Sequence, residues 1–459
     1  MTEERSEPIR VSPVRAEDRI ESIDVLRGFS LLGILLLNIN AFALPFGAYM
    51  NPAVFGGATG SNLTSWLVHM ALFDGKMRAI FSMLFGTSAF ILTSRAEARG
   101  AGIEAADIYY RRTMWLIAIG LIHAHLIWYG DILYAYGVVG LLIFPLRKAS
   151  AKALIITAAV IISLHSMQGI GGMFAIREMQ TNAEQHDKVV AAGGKPTDEQ
   201  KAASKEWSAL KEMFQPAKED VEKEIQKHGG GWVENLKLRT GQAAQFQFVM
   251  FFQFIFLDVL GMLVLGMGLA KAGVFDASRS YRFYSMLVAA GFLIGAPLHY
   301  WAASRWASSG FAVPEFMGYI ASTADPGRFL VAGAYIGLVM IICKAGVLGW
   351  LRFLLAAVGR TALSNYLLTS IVLTFVFNGY GLGLFAQYER AQLIWFVLGM
   401  WVVNLVWSPI WLKYYRYGPA EWAWRSLTYW KRQPLAREES SAPAPHFPTP
   451  DPDIADTSR

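Results

Sequence analysis

Long apolar runs alternate with short polar breaks along most of the chain. Runs of about 20 residues, the length of helix that crosses a bilayer, recur at 24–45, 76–95, 113–129, 131–147, 151–174, 248–271, 282–302, 328–345, 357–377 and 392–413. They predict an all-α polytopic membrane protein with about ten transmembrane helices. An eleventh, re-entrant or half-spanning helix fits 59–75 or 347–358. The segment 1–23 is polar and carries Arg5, Arg10, Arg15 and Arg19, with no small-residue cleavage site before the first apolar run. It therefore reads as a retained leader into helix 1.

The polar breaks divide the chain. Helices 1–5 occupy 24–175, a polar insertion 176–247, and helices 6–10 with an interfacial segment 248–432; a Pro-, Ser- and acid-rich tail of 433–459 reads as disordered. Residues 177–239 hold 12 Asp/Glu and 11 Lys/Arg, so the remainder is poorer in charge than the average suggests. The insertion is expected to form helices that cap the outer face. Glu421-Trp422-Ala423-Trp424-Arg425 through Trp430 reads as an interfacial helix, because indole rings favour the headgroup level.

Short-loop cations set the expected orientation. Arg95, Arg99, Arg111, Arg112, Arg147, Lys148, Lys152, Lys271, Arg279, Arg282, Lys344, Arg352, Arg416, Arg425, Lys431 and Arg432 fall on one side if the spans alternate. The N-terminus and C-terminus are then cytoplasmic. Arg305, Arg328 and Arg390 are exceptions in the outer loops.

Composition narrows the class. Hydrophobic residues make up 54% and charged residues 17%, against about 25% charged in soluble proteins. That excludes a soluble enzyme, a secreted disulfide scaffold and a mainly disordered chain. The net charge of +6 is scattered through short loops, which fits membrane orientation and not nucleic acid. The single cysteine, Cys343, excludes an internal disulfide. A lipid bilayer is the implied partner; oligomeric state is left open, a homo-oligomer included.

Ionisable groups inside apolar spans are costly and start as functional candidates. On helix 1, Arg27 and Asn38 are eleven residues apart, which places them on nearly one face about 16 Å apart along the axis. Arg112 and His123 repeat the spacing on helix 3. His123 is followed across the short turn Trp128-Tyr129-Gly130 by Asp131, so the two side chains can meet on antiparallel helices. A carboxylate beside an imidazole fixes its tautomer and raises its basicity, as a general base needs. His69, His125 and His299 fall near the same outer level, and His125 and His299 read as interfacial.

Asp74-Gly75-Lys76-Met77-Arg78 opens helix 2 at that level. Its two cations either pair with Asp74 and Asp131 as buried structure or face an anion in a cavity. Arg360, Ser364, Asn365 and Tyr366 form another polar patch, in which Asn365 and Tyr366 read as interhelical hydrogen bonds. Asp258 is a carboxylate in an apolar run and needs a partner. Gly261, Gly266 and Gly268 read as positions of close helix packing, not as a phosphate loop.

Several stretches carry a family resemblance. They are Ser22-Ile23-Asp24-Val25-Leu26-Arg27-Gly28-Phe29 with Leu37-Asn38-Ile39, and Phe73-Asp74-Gly75-Lys76-Met77-Arg78-Ala79-Ile80-Phe81 with Leu84-Phe85-Gly86. Arg111-Arg112, Gly120-Leu121-Ile122-His123 and Gly130-Asp131-Ile132-Leu133-Tyr134 follow. Near the end stand Gly359-Arg360-Thr361-Ala362-Leu363-Ser364-Asn365-Tyr366 and Gly418-Pro419-Ala420-Glu421-Trp422-Ala423-Trp424-Arg425. Together they resemble the YeiB-like membrane proteins, a family (domain of unknown function 418) named for its unknown function. That family is similar to the wider transmembrane acyltransferases, including heparan-glucosaminide acetyltransferases and bacterial sugar O-acyltransferases.

The resemblance implies an acyltransferase of the bacterial inner membrane. It would move an acyl group, most simply acetyl, from cytoplasmic acyl-coenzyme A to a hydroxyl or amine of a sugar or glycolipid. In the sugar O-acyltransferases a catalytic His follows the helix-1 Arg, where this chain has Asn38. The residues themselves point to His123 with Asp131 as the base; in the heparan-type enzymes an Asn on helix 1 is followed by a catalytic His in the next outer loop, which makes His69 the second choice. Asn38 would hydrogen-bond the oxyanion. Arg27, Arg112 and Arg360, with Lys76 and Arg78, would bind coenzyme A, which acts as a substrate. No metal is required. The rival class is a transporter or lipid flippase, which also buries charge, although no internal symmetry supports it. A haem protein would need histidines at matched depths on facing helices.

Overall fold

A computed structural model describes residues 19–100, 102–323 and 326–437. The expected polar leader with Arg5, Arg10 and Arg15 and the expected tail beyond 437 lie outside the described residues. In chain order the helices are α1 (Glu21–Ala43), α2 (Phe46–Met50), α3 (Gly60–Leu72), α4 (Lys76–Ala98), α5 (Gly102–Leu126), α6 (Leu133–Ile143) and α7 (Ala151–Ala191). The insertion continues as α8 (Asp198–Phe214), α9 (Lys218–His228) and α10 (Trp232–Ala244). The second half holds α11 (Phe256–Lys271), α12 (Tyr281–Ala290), α13 (Ala296–Ser308), α14 (Val313–Thr323), α15 (Pro326–Ala345), α16 (Gly349–Arg360), α17 (Ala362–Phe377), α18 (Ile394–Tyr414) and α19 (Pro419–Tyr429). A π-helical stretch, Gln245–Ile255, joins α10 to α11, and a shorter one, Gly291–Gly295, joins α12 to α13.

The protein is all-helical and multi-pass, and each of the ten apolar runs coincides with helix. Among the described residues, seven helical stretches are long and apolar enough to cross a membrane, or eight when α16 and α17, bent by 80° at Thr361, count as one span. The expected count of about ten is thus not reached on length and hydropathy. Arg111, Arg112, His123 and His125 make α5 too polar, and α6 has 11 residues before the chain tightens into a 3₁₀ turn. The two stretches suggested for an extra half-spanning helix are both helical, as α3 and α16.

Glycines set the closest approaches. A Cβ on Gly28 would lie 2.0 Å from the Leu355 carbonyl oxygen, and one on Gly359 would lie 1.9 Å from that of Asp24. The α1 and α16 backbones therefore touch, as small residues allow in membrane helices. Gly86 against Leu263 and Gly266 against Met83 do the same for α4 and α11. Gly266 thus has the packing role expected of it.

The insertion forms a helical cap. Phe46 N–H donates to Glu224 on α9 at 3.0 Å, Asn51 donates to the Phe214 carbonyl at 3.2 Å, and Arg239 on α10 donates to the Leu126 carbonyl. His228 Nδ1 lies 2.8 Å from Asn378 Oδ1, and its ring stacks on Phe385 at 3.8 Å. At the opposite end, Arg416 and Arg437 donate backbone hydrogen bonds to Leu435 and Tyr414, so 433–437 pair back along α18's end.

Candidate functional site

The helices enclose a cavity of about 470 Å³ with polar ends and an apolar middle. One end is lined by Arg19, Asp24, Arg27, Arg95, Arg112, Arg360, Glu421 and Arg425; the other by Tyr49, Asp74, Arg78, Trp128, Tyr129 and Asp131. Ile34, Leu37, Phe81, Leu84 and Leu116 line the space between. Arg27 and Asn38 both face it, so the helix-1 stripe opens onto space and not onto packed side chains.

At the arginine end, helix starts and stops converge. Arg27 donates to Asp24 at 2.8 Å and to Ser88 at 3.1 Å. Arg112 lies 4.2 Å from the Trp424 ring, whose indole N–H donates to the Arg112 carbonyl at 2.9 Å. Arg425 lies 4.6 Å from the Tyr417 ring. The α19 segment, expected to be interfacial, also walls the cavity. Glu421 holds it there by capping α17, whose first amides have no partner of their own. Its carboxylate accepts from Leu363 N at 2.6 Å, Ser364 N at 3.1 Å and Ser364 Oγ at 2.5 Å. Burial pushes the Glu421 carboxyl up despite these bonds, and it pushes the Arg425 guanidinium down, helped by the Arg19 charge.

At the other end, His123 is 1% exposed, and its Nδ1 lies 2.8 Å from Asp131 Oδ2. Tyr134 N–H donates to the second Asp131 oxygen at 2.8 Å, fixing the carboxylate on the first turn of α6. A Cβ on Gly120 would lie 2.3 Å from Tyr134 N and 2.8 Å from Asp131 Oδ1, so only glycine lets α5 and α6 close around the pair. His123 Nε2 is buried and has no hydrogen-bond partner among the described residues. Asp131 and Tyr366 line the cavity, whereas His123 stands behind them, 4.9 Å from the Tyr366 ring centroid.

The other expected residues separate. Asn38 lines the cavity, and no hydrogen bond ties its side chain to a described residue. Half-buried His69 lies off the cavity, its ring 6.2 Å from that of Phe73. Lys76 is fully buried away from the cavity and donates to the Met70 carbonyl at 2.6 Å, so it does not face a ligand there. Arg78 lines the cavity but pairs with Asp258, not with Asp74 or Asp131. Arg328 is the second partner of Asp258, at 2.6 Å. Asn365 donates to Ser408 at 3.0 Å and accepts from Trp407 Nε1 at 2.6 Å, the interhelical bonding expected of it. Tyr366 instead faces the cavity. Asp74, Arg425 and Arg19 also line the cavity, although no sequence pattern marked them as site residues.

The fold and the cavity define a multi-pass helical membrane protein with an internal chamber that is arginine-rich at one end and has at the other a wall aspartate paired with a histidine behind it. A family model described as a protein of unknown function (DUF418) matches residues 269–431. The chain is 31% identical over 423 residues to the uncharacterized protein YeiB of Escherichia coli (strain K12), covering 90% of this chain and 96% of that one. It is 28% identical over 446 residues to the uncharacterized protein YxaH of Bacillus subtilis (strain 168), covering 93% and 98%. The chain belongs to the YeiB-like DUF418 family. No solved structure matches it.

Proposed function

We propose that the protein is an acyltransferase of the bacterial inner membrane, with both termini cytoplasmic. The observation that carries this reading is the single cavity running from the arginine cluster to Asp131. Acyl-coenzyme A enters at the arginine end, where Arg27, Arg112 and Arg360 hold phosphate oxygens through paired N–H donors. The thioester lies near Asn38, about 16 Å along helix 1. The acceptor, a sugar or glycolipid hydroxyl or amine, enters at the Tyr129 end.

The acceptor O–H or N–H attacks the thioester carbonyl while His123 Nε2 takes its proton, with Asp131 holding the ring through Nδ1. Asn38 donates a hydrogen bond to the tetrahedral oxyanion. The C–S bond then breaks, and the imidazolium returns its proton to the leaving thiolate. Since Tyr366 stands beside His123, its side chain must turn aside for the acceptor to reach Nε2. Purified protein given labelled acetyl-coenzyme A should release free thiol, and His123→Ala should abolish release. Undiminished release from that variant would remove His123 from the mechanism.

A carrier or flippase is the second reading. It is favoured by the 80° break between α16 and α17, since carriers place sites at broken helices. Proteoliposome uptake without acyl-coenzyme A would support it over transfer.

A further inference from the structure

The charges at the arginine end do not balance. With Arg95 set aside, five guanidiniums, those of Arg19, Arg27, Arg112, Arg360 and Arg425, share that end of the cavity with two carboxylates, Asp24 and Glu421. Asp24 is taken by Arg27 at 2.8 Å and by Arg19 at 3.7 Å. Glu421 is taken by the first turn of α17. Arg112, Arg360 and Arg425 make no ion pair with a described residue. Arg112 and Arg425 are placed over aromatic rings, and a guanidinium stacked by its face keeps its N–H edge for another acceptor. All five are at least half-buried, so the excess of three positive charges is weakly screened.

Resting on the acyl-transfer reading, we infer that the donor carries at least three negative charges on two separate phosphate units, and that Arg19 and Arg425 bind it together with Arg27, Arg112 and Arg360. A phosphodiester-linked donor, such as a phospholipid or the phosphopantetheine arm of a carrier protein, brings a single negative charge and leaves most of the excess standing. A nucleotide-headed thioester with a diphosphate bridge and a separate phosphomonoester brings about two charges from the bridge and about 1.5 to 2 from the monoester. Its charge matches the excess, so the geometry selects a coenzyme A-type head among acyl donors. Helix α19 then belongs to the donor site: Arg425 contacts phosphate, and Trp424 holds Arg112 in place.

Calorimetric titration of the full-length protein in nanodiscs tests this with coenzyme A, dephospho-coenzyme A and phosphopantetheine. Removing the monoester should weaken binding about tenfold or more, the scale of a lost charge-assisted contact. Arg19→Gln and Arg425→Gln should each weaken coenzyme A to a similar degree, and Arg425→Lys should recover part of the loss. Unfolding midpoints keep misfolded variants out of the comparison, and Arg19→Gln serves if Arg425→Gln fails to fold. Equal affinity for phosphopantetheine and coenzyme A would overturn the assignment. So would unchanged coenzyme A affinity in folded Arg19→Gln, or loss of coenzyme A binding on adding phosphatidylglycerol to the nanodisc. Tight coenzyme A binding without thiol release would retract acyl transfer and leave the polyanion site standing.

Discussion

Asp258 is 2% exposed and lies between Arg78 and Arg328, which makes it the hinge of the charge balance within the bundle. Asp258→Asn would leave the Arg78 guanidinium without the carboxylate it pairs with, and breaking a buried pair in this way costs about 3–5 kcal/mol. A lowered unfolding midpoint in detergent is the expected result. Gly120 is a different kind of residue, since it is defined by what it leaves empty. Gly120→Ala would press a methyl onto Tyr134 N and Asp131, with an overpacking cost of about 1–3 kcal/mol. The variant should fold with a lower midpoint and lose thiol release, because the displaced carboxylate no longer holds His123. Asp131→Asn should fold more normally and still lose activity by disturbing the tautomer. The His123–Asp131 pair was legible in the sequence because only eight residues and a tight turn separate its members. The partners of Asp258 were not, because Arg78 is 180 positions away and belongs to a helix that only the folded bundle brings near.

Helices here are recognised from apolar runs but assembled through details those runs do not carry. The α1–α16 contact depends on Gly28 and Gly359, and a side chain at either would have to displace backbone. Gly359→Leu is expected to separate the two helices, destabilise the protein and disturb the cavity wall formed by Arg27 and Arg360. Trypsin accessibility of the arginine end, compared with wild type, checks this. Helix α19 shows what pattern alone leaves open. Tryptophans and arginines on a short amphipathic segment look the same whether they meet lipid headgroups or a protein chamber. What decides the matter is Glu421 on the α17 amides, a contact 57 positions apart. The break at Thr361 was partly legible, because 347–358 was a candidate half-spanning helix beside the span 357–377, but its 80° angle depends on packing that the apolar pattern does not carry.

At the scale of the molecule, one of the contacts that join the cap to the bundle titrates. Burial lowers the His228 pKa from 6.5 to about 4, opposed by the Asn378 hydrogen bond and assisted by the Arg239 charge. Between those values the undocked chain binds a proton that the docked one excludes, so docking is strongest above pH 6.5 and weakens as pH falls toward 4. Glu224, whose pKa burial raises, acts in the opposite sense near its own range, so the cleanest window is pH 7.5 to 5.5. Hydrogen-exchange protection over 218–244, corrected for the intrinsic pH dependence of amide exchange, should fall across that window, and His228→Gln should flatten the change. Beneath the cap runs α7, 41 residues without a break. At 1.5 Å per residue it is about 60 Å long, twice the hydrocarbon thickness. It acts as a mast whose foot stands among α11 and whose head carries the cap, so its pitch sets the cap's compass bearing. One residue added at Gly171 would turn everything above by about 100°, swinging His228 off Asn378, whereas a seven-residue addition, nearly two full turns, would lift the head and leave it facing almost the same way.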